Sequence, residues 1–150
     1  MNDTKWDYRF LKLAECISSW SKDPSSQIGA IAVRDRRILA TGYNGFPHRI
    51  GDLPGRLNNR EEKLLRTVHA EANIVAHAAK DGISLRGACI YVWKFMPCAN
   101  CCTLLIQSGI RRVVAPNHPI PDRWHTSFSL SQEMLREAEV DFVLLDYPTD

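Results

Sequence analysis

The sequence predicts one α/β domain built on a mixed sheet of five strands with helices on both faces. Two observations lead there. The elements readable along the chain run α-β-β-α-β-α-β-α-β. Each strand after the first pair follows a helix, and a strand–helix–strand connection brings the chain back parallel to itself. The last strands are therefore expected to be parallel. A length of 150 residues suits a single core, so residues 1–150 are expected to form one domain.

Residues 5–20 place Trp6, Phe10, Leu13, Ile17 and Trp20 at helical spacing, which predicts an amphipathic helix. The segment S-K-D-P-S-S at 21–26 breaks it. Residues 28–33 and 38–41 flank Arg34-Asp35-Arg36-Arg37 and read as a hairpin. Gly, Asn and Pro at 42–47 supply turn chemistry. Residues 47–66 are polar and Arg-rich, a long loop running into a short helical piece. Loops this long inside a small domain are usually functional or mobile. Residues 68–80 are Ala-rich and helical, ended by Asp81-Gly82. Strands are expected at 88–93, 112–115 and 140–145, and helices at 101–108 and 128–138. Gly109 stops the first of these helices, and 117–123 is a loop with two prolines.

Composition narrows the function. The chain is 45% hydrophobic and 24% charged, which excludes a disordered or collagen-like protein. No uncharged apolar run approaches the ~20 residues of a membrane helix. The opening M-N-D-T-K-W-D-Y-R-F has two Asp and no apolar segment, so no signal peptide is expected. Nineteen basic against seventeen acidic residues give a net charge of +2. That is too small to argue for nucleic-acid binding, but it suits a small anionic substrate in a local basic pocket. The five cysteines are Cys16, Cys89, Cys98, Cys101 and Cys102. An odd number with three crowded together fits a metal site in a reducing compartment better than a disulfide framework.

Two short motifs carry the chemistry. His69-Ala70-Glu71 opens the central helix, and Pro97-Cys98-Ala99-Asn100-Cys101 opens the next. Zinc takes His nitrogen and Cys thiolate tetrahedrally, and three protein ligands leave one position open for catalysis. Cys98 and Cys101, three apart on a helix, share a face. A helix N-terminus also stabilises thiolates. The same face preference favours Cys101 over Cys102 as ligand. In mid-helix, His69 and Glu71 would diverge by about 200°. At a helix start both can reach one metal. Cys16 and Cys89 lie in apolar stretches and are expected to be buried small hydrophobes. His77 is expected to be a packing or surface residue, and His118 and His125 ordinary loop residues.

With these motifs in hand, the chain resembles the cytidine-deaminase superfamily, and within it the deoxycytidylate (dCMP) deaminase branch. The resemblance spans about Trp6 to Leu145. H-A-E and P-C-x-x-C are shared across the superfamily. Ser21-Lys22-Asp23-Pro24-Ser25 and Gly42-Tyr43-Asn44-Gly45-Phe46-Pro47 are more specific to the dCMP branch. The resemblance implies the three-layer α/β/α deaminase fold and hydrolysis of dCMP to dUMP and ammonia. It also implies one catalytic zinc per chain on His69, Cys98 and Cys101, with Glu71 as proton shuttle. Ala70 N–H would meet the base O2, Asn44 the sugar, and Lys22, Ser21 and Ser25 the 5′-phosphate. Phe95 would wall the pyrimidine, and Trp124 stands where relatives often place tyrosines near the base. A cytoplasmic homo-oligomer is implied, hexamers being known in the family, with no membrane and no nucleic-acid partner.

The rivals within the superfamily are tRNA adenosine, guanine, free-nucleoside and modified-dCMP deaminases. The chain ends in Asp-Tyr-Pro-Thr-Asp without a basic run, and Met96 stands where the tRNA branch has Glu. The helix before the last strand predicts a parallel crossover, unlike the antiparallel fifth strand of plain cytidine deaminases. A purely structural zinc module would call for four protein ligands.

Overall fold

The computed structural model describes residues 4–147. Helix α1 (Thr4–Ser18) leads into a hairpin of β1 (Gly29–Arg34) and β2 (Arg37–Tyr43). Two short helices follow in the polar loop, α2 (Pro54–Leu57) and α3 (Arg60–Arg66). The chain continues through α4 (Ala70–Asp81), β3 (Cys89–Trp93), α5 (Ala99–Gln107) and β4 (Arg112–Pro116). A 3₁₀ turn (Asp122–Trp124), α6 (His125–Glu137) and β5 (Asp141–Leu145) complete it. The expected order of elements holds, with α2 added at the loop proline. The sequence readings on Met1–Asp3 and Pro148–Asp150 lie outside the described residues.

The sheet order is β2-β1-β3-β4-β5. Strand β1 is antiparallel to β2 and β3, while β3, β4 and β5 are parallel. The hairpin turns on Asp35 and Arg36, both left-handed at φ 54° and 61°. That geometry gives the twist a two-residue hairpin needs. Alternate residues of β1 feed two cores. Ala30 and Ala32 face α4, α5 and α6 with Ile74, Leu105 and Leu135. Ile31 and Val33 face α1 with Phe10, Leu11 and Ala14. Helix α1 covers one face and α4, α5 and α6 the other, giving three layers.

The expected stripe on α1 holds in part: Phe10 is buried and Trp6 and Ile17 pack against the same core. The buried face runs through Asp7, Phe10, Leu11, Ala14 and Ser18, whereas Leu13 and Trp20 are 43% and 56% exposed. Two contacts set this rotation. Arg112 of β4 draws Asp7 inside through bonds of 2.6 and 2.7 Å. The helix also lies so close to β1 that a Cβ on Gly29 would strike the Ala14 carbonyl and the Ser18 amide. Small side chains must therefore face the sheet there. The same rotation leaves Cys16 exposed instead of buried, while Cys89 is buried as expected.

One edge of the sheet is built to hold a site. Gly29 pairs with both Trp93 and Tyr43, so the start of β1 meets the ends of β2 and β3. Helix α4 begins there, pressed so close to β2 that a Cβ on Gly42 would meet the Ala70 carbonyl. The helix starts at Ala70, later than the expected residue 68. Val68 is held extended by Gly45, with bonds of 2.8 and 3.1 Å between their backbones. Helix α5 starts at Ala99, earlier than expected, because Cys98 serves as its N-cap.

Candidate metal centre and active site

Both motif-bearing helices place a candidate ligand at the N-cap. His69 caps α4 with extended backbone, φ −67° and ψ 154°, and Cys98 caps α5 with φ −69° and ψ 169°. An N-cap residue lies outside the helical spiral. The divergence of two mid-helix residues therefore does not apply to His69 and Glu71. Cys101 sits in the first turn of α5, and Glu71 in the first turn of α4.

The geometry fits a tetrahedral metal. His69 Nδ1 lies 3.5 Å from Cys98 Sγ and 3.4 Å from Cys101 Sγ. The three ligand atoms fall within 4.8 Å of one another. Tetrahedral zinc with bonds of about 2.0–2.3 Å requires N···S separations of about 3.5 Å. Two thiolates and an imidazole are also the donor chemistry zinc prefers. Cys102 is fully buried with its sulfur directed at the Pro97 carbonyl, 3.8 Å away, and is not part of this set.

The groups are electrostatically linked. The Cys101 thiol donates to Cys98 and holds it well below the ordinary thiol range, with His69 adding to the effect against burial. The same bond, with burial, pushes Cys101 up. The Cys98 hydrogen bond raises His69 despite burial. Glu71 is 4% exposed, and burial raises its carboxyl against the opposing pull of Cys101 and His69. A carboxyl displaced upward in this way is suited to taking up and releasing protons.

A cleft opens over this centre. His69, Ala70, Glu71 and Cys98 form its floor, with Asn44, Ser25, Phe95 and Trp124 in its walls. Asn44 is 6% exposed and ties the sheet edge together. Its Oδ1 accepts from Ile28 N, and its Nδ2 donates to Ser26 O, each at 2.8 Å. Trp124 stacks on Phe128 at 5.9 Å between centroids. Ser21 and Lys22 are not in the cleft wall. Ser21 is buried behind Asn44 and donates to its carbonyl at 2.8 Å. Lys22 is exposed and pairs with Asp52 at 3.2 Å. His118 packs edge-on against Trp93, and His125 points at the Ile120 carbonyl; neither lines the cleft.

Three cations in the cleft escaped the sequence reading: Arg60, Lys63 and Arg123. Lys63 is 4% exposed and bonds Asp23 Oδ1 at 3.0 Å and Ser25 Oγ at 3.1 Å. An ammonium has three donors, so one remains. The available signal was the spacing of Arg60 and Lys63, one helical turn apart.

Comparisons with known proteins agree with this geometry. Residues 4–116 match the family model described as the cytidine and deoxycytidylate deaminase zinc-binding region. An uncharacterized deaminase of Aliivibrio fischeri is 40% identical over 144 residues, covering 95% of each chain. Human deoxycytidylate deaminase is 35% identical over 129 residues, covering 82% of this chain and 68% of that one. The crystal structure of a dCMP deaminase from cyanophage S-TIM5, in complex with dCMP and dUMP, superposes with a TM-score of 0.78. It is 24% identical and covers 97% of this chain and all of that one. This likeness establishes the fold.

Proposed function

Because the chain belongs to the cytidine and deoxycytidylate deaminase family, we propose that it hydrolyses dCMP to dUMP and ammonia. The observation that carries this reading is one cleft with a three-ligand centre and buried Glu71 on its floor, and cations in its wall. Zinc, when bound by His69 Nδ1, Cys98 Sγ and Cys101 Sγ, supplies the Lewis acidity that readies water for attack near neutral pH. Glu71 takes the proton released by the attacking water and passes it to ring N3, making C4 electrophilic. As the C4–N bond breaks and the C4 carbonyl forms, Glu71 takes the second proton from the added hydroxyl and delivers it to the departing amino nitrogen, which leaves as ammonia. Ala70 begins α4, where first-turn N–H groups lack helical partners, and its N–H serves the base O2. Phe95 walls the pyrimidine with Trp124 as an aromatic lid, and Asn44 offers the sugar the second lone pair of its Oδ1.

The 5′-phosphate is assigned to Ser25 with Lys63, Arg60 and Arg123. Arg60 and Arg123 line the cleft, and a phosphate is the ligand their planar donors suit. Ser21 acts behind Asn44, and Lys22 lies outside the wall. The reading extends to a cytoplasmic homo-oligomer. Leu53, Leu64 and Leu65, all more than half exposed, are apolar surface that a second copy would cover. No helix among the described residues is long and apolar enough to cross a membrane.

Ammonia release from dCMP, CMP, dCTP, deoxycytidine and guanine, measured in parallel, tests the proposal. Charge-assisted contacts of about 1.5–3 kcal/mol predict at least about a tenfold preference for dCMP over deoxycytidine. Equal turnover of the two, or turnover of guanine alone, refutes it.

A further inference from the structure

We propose that α6 clamps the zinc-binding loop, with Ser127 and Ser131 as positioning residues for Cys98. This rests on the zinc reading of His69, Cys98 and Cys101. A helix N-cap side chain ordinarily accepts a hydrogen bond from a first-turn amide. Cys98 caps α5 with its sulfur turned toward His69, so the Cys101 N–H only approaches it and no well-formed cap bond results. The ligand role and the capping role compete for one side chain.

Helix α6 holds the backbone on both sides of Cys98. Ser127 Oγ accepts the Ala99 N–H at 2.9 Å, a cap lent by another helix. One turn further on, the Ser131 hydroxyl lies 2.9 Å from the Pro97 carbonyl and 3.1 Å from the Ser127 carbonyl. Ser131 has no exposed surface. Beside it, Gln132 Nε2 reaches Met96 Sδ at 3.8 Å. Between the two serines in sequence, Phe128 packs in one cluster with Met96, Cys98 and Cys101. The spacing of Ser127 and Ser131 puts both on one face. They fasten Pro97 and Ala99, the neighbours of Cys98 on either side. The backbone of Cys98, and with it the direction of Sγ, is thereby set before metal arrives. Contacts that orient a ligand from outside typically change metal affinity by about 10–100-fold.

The test uses the full chain with Ser127→Ala, Ser131→Ala, the double variant and Ser127→Thr. Each folded protein is stripped of metal, and its zinc affinity is read by competition with a chromophoric chelator. Melting of the zinc-free proteins is followed alongside. Each alanine is expected to weaken zinc binding by about 10–100-fold, and the double variant further. Ser127→Thr keeps the hydroxyl and is expected to stay within about twofold of the unaltered chain. Serines that were merely structural would lower the melting temperature of the zinc-free protein and leave the affinity of the folded protein unchanged. That outcome overturns the clamp. An unaltered chain that binds no zinc overturns the zinc reading itself, and the clamp with it.

Discussion

Asp7→Asn removes a single charge from the buried pair beneath α1 while nearly preserving its shape. Asp7 Oδ1 and Oδ2 accept from the two terminal nitrogens of Arg112 at 2.6 and 2.7 Å, and Oδ1 also accepts from the Tyr91 hydroxyl at 2.8 Å. The Asp7 and Arg112 side chains are 4% and 9% exposed, so water screens little of the interaction. Arg112 Nε already lacks a partner. Without the carboxylate, the guanidinium stays charged and buried against one neutral amide. Breaking one side of a buried pair costs about 3–5 kcal/mol, a large share of the about 5–15 kcal/mol that stabilises a domain. At about 2–4 °C per kcal/mol for a chain of this size, Tm should fall by about 6–20 °C. Burial pushes the Asp7 carboxyl up, but the Arg112 and Tyr91 bonds and the guanidinium charge outweigh it. They hold the group below its ordinary 3.8. A depressed carboxyl contributes stability that is full above the unfolded value and lost as pH falls through the folded one. The native chain should therefore lose this increment below pH 3.8, and the variant should lack that part of its acid sensitivity. Urea denaturation across pH, on the zinc-loaded protein near neutrality and on the zinc-free protein in acid, where the His and Cys ligands protonate, measures both effects. Turnover per folded molecule should not change, because the pair lies under α1, across the sheet from the cleft. Asp7→Leu with Arg112→Met removes both charges and should recover most of the loss. A cost under about 1 kcal/mol for Asp7→Asn, or a double variant as costly as the two single changes summed, refutes the reasoning.

Three further outcomes concern the site. Glu71→Gln keeps the size of the side chain and removes its titratable proton; turnover should fall by about 10²–10⁴-fold while metal analysis still finds one zinc per chain. Loss of zinc in that variant would make Glu71 a ligand. Cys98→Ala should lose the metal and the stability that comes with it, seen as a lower Tm that added zinc does not restore; full zinc occupancy would exclude Cys98 from the ligand set. Arg60→Ala should raise KM for dCMP by about tenfold, the value of one charge-assisted contact, and leave deoxycytidine kinetics unchanged. An equal effect on both substrates would show that Arg60 acts on the fold and not on the phosphate.

The parts legible in the sequence were those fixed by local patterns. Alternating strands and helices gave the parallel half of the sheet, because crossover geometry leaves little choice. The pairing of His69 with Cys98 and Cys101 followed from ligand chemistry and helix spacing, and the distances of 3.4 and 3.5 Å agree with it. The misses were set by tertiary contacts. Apolar spacing places Trp6, Phe10 and Ile17 on the core side of α1 but not Leu13 or Trp20, because Asp7 is carried inward by Arg112, 105 residues away in sequence. The motif S-K-D-P-S points to Lys22 for the phosphate, whereas Lys22 is exposed and pairs with Asp52 outside the cleft wall. Lys63, hidden in the charged run R-E-E-K, reaches the cleft through a buried bond to Asp23. A buried lysine and an exposed one are indistinguishable until their partner is known.

The arrangement of ligands also explains why one chain segment can supply both metal binding and proton transfer. Had His69 stood inside α4, Glu71 would project from a different side of the helix, and only one of them could face the cleft. As the N-cap, His69 takes its direction from extended backbone, which Gly45 imposes by pairing with Val68 just before it. Glu71 takes its direction from the helix. Two conformations two residues apart thus converge on one point, and Gly42 allows the sheet to approach closely enough for that point to lie at its edge. Cys98 repeats the device on α5. In both helices the N-cap makes no side-chain cap bond, leaving first-turn amides to other partners. At α5 a serine from α6 takes one of them. At α4 the Glu71 N–H turns to its own carboxylate, and Ala70 lines the cleft. Each helix start thus gives its capping side chain to the centre and its backbone amides to other partners.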